Sequence, residues 1–274
     1  MSIWIEIVSI AVVFLVVGGI TGTLSAFFGI GGGIVMVPFL HIFFKYFSPH
    51  PVGAVMHMAI GTSIGTMVFT SLASAYGHYR AGHVIMPLWL RMAPIVAIGA
   101  LLGALTTRYL HSEFLRYFFI AFLIYIIARV FLKKTFTRQY ALKDFTMPKV
   151  TRFGPVGFIA GLLAVWLGIG GTVITTPFFR STKMPMSNAT ATAVSMVPAI
   201  AVLGSIGYII AGWSAPGVPP YSLGYIHLPA LIGLTIGSFV GVPIGVRLSA
   251  KIADHHLARW YVVLLIVVLI MMLV

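Results

Sequence analysis

The stretch GIGGGIVMVP, residues 29–38, places four glycines in five positions inside an otherwise apolar region. Glycine costs about 1 kcal/mol relative to alanine in a helix interior, so this cluster predicts an interruption of the helix. In hydrocarbon, the backbone N–H and C=O groups freed by an interruption must find partners in protein or in a water-filled cavity. We therefore expect a polar feature at this point in the chain.

The composition predicts that the chain lives in a lipid bilayer. Hydrophobic residues make up 60% of it and charged residues only 8%, whereas ordinary soluble domains are about one quarter charged. A membrane-spanning helix needs roughly 20 apolar residues. Runs of about this length occur at 4–28, 57–77, 84–107, 114–132, 154–179, 189–212, 226–246 and 257–274. The predicted fold class is an all-α integral membrane protein.

The glycine-rich stretch recurs in the second half of the chain. A shift of 139 residues aligns GGITGTLSAFFGIGGGIVMVPFL (18–40) with GFIAGLLAVWLGIGGTVITTPFF (157–179), with ten identities in 23 positions. A second match joins two glycine pairs with the small-xxx-small spacing that lets helices approach closely in lipid, Gly99 with Gly103 and Gly237 with Gly241. The chain therefore contains two copies of one unit.

The predicted organisation is a first transmembrane repeat at 1–132, a basic linker at 133–152 and a second repeat at 153–274. Basic loops of membrane proteins face the cytoplasm, so the linker is placed there. We expect each repeat to be a glycine-broken helix pair, either half-helices or a re-entrant hairpin, followed by three transmembrane helices. This arrangement leaves 14 of the 17 Lys and Arg residues in the cytoplasm and three outside: Lys45, Arg108 and Arg116. It inverts the second repeat relative to the first and puts both termini outside, as in many secondary transporters.

The interruptions are predicted to form an anion site. A helix that restarts after a break presents backbone N–H groups and the positive end of its dipole, here near the middle of the membrane. The predicted backbone donors are Gly31, Gly32, Gly33, Gly170, Gly171 and Thr172. The alternative is that these glycines serve only helix packing. Duplication of the whole pattern favours the anion site.

Hydroxyl and amide side chains near the interruptions are candidate further donors. Asn188, Thr192 and Ser195 share one helix face because of their spacing, and Ser25 and Ser63 lie near the first interruption. Serine and threonine in membrane helices also bond carbonyls of their own helix. For each of these residues, the alternative to binding the anion is a structural bond to its own helix.

Two basic side chains have candidate roles. His57 starts a helix and is a candidate for proton coupling, because histidine titrates near neutral pH; the alternative is an interfacial histidine at a helix end. Arg91 is a candidate anion ligand, and the alternative is that it extends to the cytoplasmic surface.

Several function classes are excluded or disfavoured. The acidic residues lie near predicted helix ends or in loops, so none is placed to bind a cation or to relay protons at mid-membrane: Glu6, Glu113, Asp144 and Asp254. The chain has no cysteine and no metal or P-loop motif, so we expect no metal, no cofactor and no enzyme activity. The net charge of +13 is explained by membrane orientation rather than by nucleic-acid binding.

The same residues carry a family resemblance. The stretches GTLSAFFGIGGGIVMVPFL, AIGTSIG, YRAGHV and GLLAVWLGIGGTVITTPFF resemble the TauE/SafE family of membrane proteins, which is associated with export of sulfite and organosulfonates. The resemblance implies that the substrate is a small sulfur oxyanion. The second repeat departs from the first at Thr172, where the first has Gly33, and at TAVS (192–195), where the first has IGTS (60–63). The two halves of the site are therefore expected to differ.

The sequence thus predicts a secondary transporter of the inner cell membrane that exports a small sulfur-containing anion by alternating access. The first alternative is a proton- or cation-coupled uptake permease for the same anion. A second alternative is a membrane scaffold or channel-like subunit that transports nothing by itself. The expected partners are the anion and membrane lipid, and a homodimer is left open.

Overall fold

The computed structural model describes residues 2–28, 32–48, 52–132, 142, 145–249 and 254–273. The described part of the first half forms five α-helices: α1 Ser2–Phe28, α2 Gly33–Ile42, α3 Val55–Arg80, α4 Met86–Thr106 and α5 Ser112–Leu132. The second half repeats this series: α6 Val150–Leu167, α7 Thr172–Ser181, α8 Met186–Gly212, α9 Leu228–Ser249 and α10 Asp254–Leu273. A two-residue antiparallel ladder, β1 Ser222–Leu223 with β2 Ile226–His227, precedes α9.

The helices have the length and composition of a multi-pass membrane protein. Within the described residues, five stretches are long and apolar enough to cross a membrane: Val55–Arg80, Met86–Tyr109, Val150–Leu167, Met186–Gly212 and Leu228–Gly245. Three shorter apolar stretches lie at Ala11–Phe27, Gly33–Phe47 and Trp260–Leu273. The predicted all-α class is confirmed for the described residues, apart from the short ladder.

Both predicted interruptions separate a longer helix from a short one. The first lies between α1 and α2, and the second lies between α6 and α7. Residues 29–31, which include the predicted donor Gly31, lie outside the described residues. The first helix of each pair has 27 or 18 residues, about 40 or 27 Å, whereas α2 and α7 have 10 residues each, about 15 Å. In each pair, therefore, the second helix, α2 or α7, has the length expected of a half-helix, and the first is long enough for a full span.

Two left-handed glycines make the second interruption. Gly168 has φ +65° and ends α6, where its N–H bonds Ala164 O, and Gly171 has φ +70° and precedes α7. Residues with a Cβ rarely adopt this conformation, so glycine is required at both points. Gly32, the residue before α2, has φ −61° and meets no such requirement.

The glycine pairs found in the sequence form two equivalent helix crossings. The helix α1 packs on α9, and α6 packs on α4. A Cβ at Gly241 would lie 2.9 Å from Gly19 C, and one at Gly103 would lie 2.9 Å from Leu162 Cα. Such distances are too short for any side chain, so glycine is what allows both pairs of backbones to touch.

The helix directions follow from the order of these contacts. Along α1, Gly18 meets Leu234 and Gly22 meets Ser238, so α1 and α9 run parallel. The helices α4 and α6 also run parallel, because Gly99 meets Phe158 and Gly103 meets Leu162. At the centre of the molecule α3 and α8 are antiparallel, since Gly61 meets Tyr208 and Ile64 meets Gly204.

Candidate functional site

The two interruptions are in direct contact. Gly33, the first residue of α2, is fully buried against the backbone of the second interruption. A Cβ at Gly33 would overlap Gly168 O and lie 3.0 Å from Ile169 Cα. The start of the short helix of one repeat therefore abuts the end of the long helix of the other.

Ser63 joins α3 to this contact. Its Oγ is buried and donates a hydrogen bond to Gly168 O at 3.2 Å. This carbonyl belongs to the left-handed residue that ends α6, so it cannot accept a bond within a continuing helix. The sequence placed Ser63 near the first interruption, and the structure places it on the second.

The N-termini of α2 and α7 have no side-chain caps, because the residue before each is glycine. Gly32 O accepts the N–H groups of Val35 and Met36, and Gly171 O accepts those of Ile174 and Thr175. The N–H groups of the first residues of a helix have no acceptor inside it. Each short helix therefore begins with backbone donors at the interruption, as an anion site requires.

The remaining residues of the two interruptions have mixed surroundings. Ser25 is half-buried on α1, and its Oγ lies 4.0 Å from where a Cβ would stand on Gly32. Thr172 is half-buried at the start of α7. Gly170 and Gly171 pack instead against apolar side chains of α8, with Cβ positions 3.0 Å from Val197 and Ile200. These contacts fall near the middle of α8.

The polar face of α8 binds the turn between α3 and α4 rather than the interruptions. Asn188 Nδ2 donates to His83 O at 2.8 Å, and Thr192 Oγ1 accepts the N–H of Ile85 at 3.1 Å. Ser195 Oγ donates to Ala191 O of its own helix at 2.7 Å. All three predicted donors therefore have backbone partners in this arrangement.

The two predicted basic residues differ in burial. His57 is buried, its Nε2 donates to Thr107 O at 2.9 Å, and its ring lies 4.9 Å from that of Tyr225. Burial raises the pKa of Tyr225, so this phenol stays neutral. Arg91 is exposed on α4.

Several buried polar residues were not singled out from the sequence, among them Tyr208, His41 and Arg180. Tyr208 is fully buried, and its Oη donates to Val165 O at 2.9 Å, close to the second interruption. His41 and Arg180, at the ends of α2 and α7, are 3% and 6% exposed. The 139-residue shift that aligns the two repeats also pairs these two, so the alignment could have identified them.

No group of three His, Cys, Asp or Glu side chains that could hold a metal ion occurs within the described ranges. The polar groups at the interruptions are backbone N–H groups, hydroxyls and the Gly168 carbonyl oxygen, and the first two can donate hydrogen bonds to an anion.

Comparison with known proteins identifies the family. The family model described as sulfite exporter TauE/SafE matches residues 14–272. A protein of Haemophilus influenzae named as a probable membrane transporter is 31% identical over 94% of this chain and 96% of its own. A probable membrane transporter of Methanocaldococcus jannaschii is 27% identical over 89% of this chain and 88% of its own. No solved structure gives a significant match. The chain belongs to the TauE/SafE family of membrane transporters.

Proposed function

We propose that this protein is a secondary transporter that exports a small sulfur-containing anion, such as sulfite, sulfoacetate or a related organosulfonate. The observation that carries the proposal is the contact between the two interruptions, where Gly33 meets Gly168. This contact joins the two repeats at the point where each has free helix ends. A relative movement of the repeats there would expose the backbone donors to one side and then to the other.

The proposed binding groups come from both interruptions. Backbone N–H groups of the two glycine-rich turns and the hydroxyls of Ser25 and Ser63 form the first set of donors. The second set is Asn188 and Thr192, which hold the α3–α4 turn in this arrangement, and Ser195, whose hydroxyl bonds Ala191 O of its own helix. They would reach the anion only after that turn moves away, so their exchange of partners is part of the proposed cycle.

The repeats are proposed to be inverted. Support comes from the helix directions, because α1 runs parallel to α9 and α6 runs parallel to α4. Thr62 Oγ1 accepts the N–H of His227 at the start of α9, and Gly65 meets Leu231, so α3 also runs parallel to α9. The short turn after α3 reverses the chain into α4. The first helices of the two repeats, α1 and α6, are then opposite in direction.

The orientation is proposed from charge. The protein is proposed to lie in the inner cell membrane, with the basic linker in the cytoplasm and both termini outside the cell membrane. An inside-negative potential of about 100 mV then favours exit of a monoanion by about 2.3 kcal/mol. Export needs no coupling ion on this account.

The predicted alternative is proton-coupled uptake of the same anion, which works against the membrane potential. His57 is its candidate proton carrier, and it is buried beside Thr107 and Tyr225. The substitution His57→Ala separates the two functions. It should abolish proton-driven uptake and leave potential-driven export intact.

A flux panel tests the transport proposal. Purified protein in liposomes is given sulfite, sulfate, thiosulfate, sulfoacetate, taurine or a matched cation under an imposed potential. Saturable flux of a sulfur oxyanion that follows the potential supports export. Flux of the cation alone, or no saturable flux, contradicts it.

Cysteine labelling tests the orientation. The chain has no cysteine, so single substitutions report one site each. Ser214→Cys, in the exposed segment after α8, should react from outside with a membrane-impermeant maleimide. Thr137→Cys, in the linker, should react only after the membrane is opened. The reverse pattern contradicts the proposed orientation.

A further inference from the structure

The end of α2 carries a buried histidine without a hydrogen-bond partner among the described residues. Neither Nδ1 nor Nε2 of His41 is bonded, although the residue is only 3% exposed. A neutral imidazole always has one N–H donor and one acceptor. Leaving such groups unpaired in the interior costs free energy, and a ligand that bonds the ring would remove this cost.

Among the described residues, two basic side chains contribute positive charge at His41. They are Arg116 on α5 and Lys45, one turn further along the chain. Arg116 is held in place by bonds from Nε to Met272 O and from Nη2 to Leu273 O, at the end of α10. The helix α10 packs on both α2 and α5, the helices that carry His41 and Arg116. The acidic group near Arg116 is Glu113, at 3.7 Å with a largely exposed side chain.

The backbone beside His41 is irregular. The chain continues from α2 as a π-helix, Phe43–Phe47, which contains Lys45. π-helical turns are rare in proteins, and many of those that do occur lie at functional sites.

The second repeat keeps a buried basic residue at the same place. Arg180 aligns with His41 at the 139-residue shift and ends α7 as His41 ends α2. It is 6% exposed, and its Nη1 donates to Met184 O at 2.8 Å. Both short helices thus run from an interruption at one end to a buried basic side chain at the other.

We propose that His41, Arg116 and Lys45 form a binding site for a small oxyanion where α2 and α10 end and α5 begins. An oxyanion would accept an N–H from the buried imidazole and offset the surrounding positive charge. That this oxyanion is the transported one, on its way to release, rests on the proposed function. A lipid phosphate has the same negatively charged oxygens and would also fit the site. The test distinguishes a free oxyanion from a lipid phosphate.

The test observes the His41 ring directly. The full chain, with ¹⁵N-labelled imidazoles, is placed in nanodiscs of phosphatidylcholine, and its ring signals are recorded by NMR during a sulfite titration. His41→Gln assigns the His41 signals and should weaken sulfite binding at this site about tenfold by calorimetry, as for loss of one hydrogen bond to a charged group. His111→Gln is the matched control, because His111 is exposed just before α5.

The outcomes separate the ligands. A saturable shift of the His41 signals with sulfite supports the site with a free oxyanion. A shift on adding phosphatidylglycerol that blocks the sulfite effect supports the site with a lipid phosphate. Signals that respond to neither overturn it, and the wild-type spectra decide this even if His41→Gln unfolds. Saturable sulfite flux with unmoved His41 signals overturns this site and leaves the transport proposal standing. Shifted His41 signals without sulfite flux support this site and contradict the transport proposal.

Discussion

A methyl group on Gly33 is the smallest change that tests the contact between the two interruptions. The new Cβ would overlap Gly168 O and lie 2.9 Å from Gly168 C and 3.0 Å from Ile169 Cα. All three neighbours are backbone atoms, which cannot rotate away as a side chain can. Overpacking a well-packed interior costs about 1–3 kcal/mol. We expect Gly33→Ala to lower the free energy of unfolding by about 2 kcal/mol within that range.

The matched control is Gly77→Ala. Gly77 is an exposed residue of α3 with nothing within 4 Å of its would-be Cβ, so alanine should raise stability there by up to about 1 kcal/mol. In a chain of this size, 2 kcal/mol corresponds to a change in Tm of roughly 4–8 °C. Thermal unfolding in detergent therefore distinguishes the two variants by the sign of the change.

The flux assay gives the second readout of Gly33→Ala. A methyl group that separates the interruptions should reduce sulfite flux in liposomes, whereas Gly77→Ala should not change it. If Gly33→Ala melts at or above the wild-type temperature, as Gly77→Ala is expected to do, the two interruptions do not touch and the reasoning is refuted.

Three further substitutions test single contacts by thermal unfolding. Ser63→Ala leaves Gly168 O buried without its donor and should cost about 1–3 kcal/mol; an unchanged Tm would mean that this carbonyl has another partner. Tyr208→Phe removes the bond to Val165 O and should cost about 1 kcal/mol, with no loss if water replaces the phenol. Gly161→Ala places a Cβ against the backbone of α4 and should cost about 1–3 kcal/mol, and a neutral result would contradict the close crossing of α4 and α6.

The sequence located both interruptions correctly because their signal is local. Glycine clusters weaken a helix wherever it packs, so the starts of α2 and α7 could be predicted to within a few residues. The hydrogen-bond partners of the predicted site residues could not be predicted from the sequence. Thr192 and Asn188 lie on one helix face as predicted, yet they bind Ile85 and His83, residues of a turn that is 107 and 105 positions away in the sequence. Helix periodicity shows which residues share a face of a helix, but it does not show which part of the chain packs against that face.

The amino-acid sequence by itself predicted the membrane environment and the places where the short helices α2 and α7 begin, since both depend on composition and on short-range spacing. Only the folded chain decided that Gly33 abuts Gly168, that Ser63 bonds the carbonyl of Gly168 in the second half, and that His41 is buried without a hydrogen-bond partner among the described residues. These features depend on how helices from the two repeats cross and on which small residues let their backbones meet. That geometry is set by close packing summed over the whole molecule.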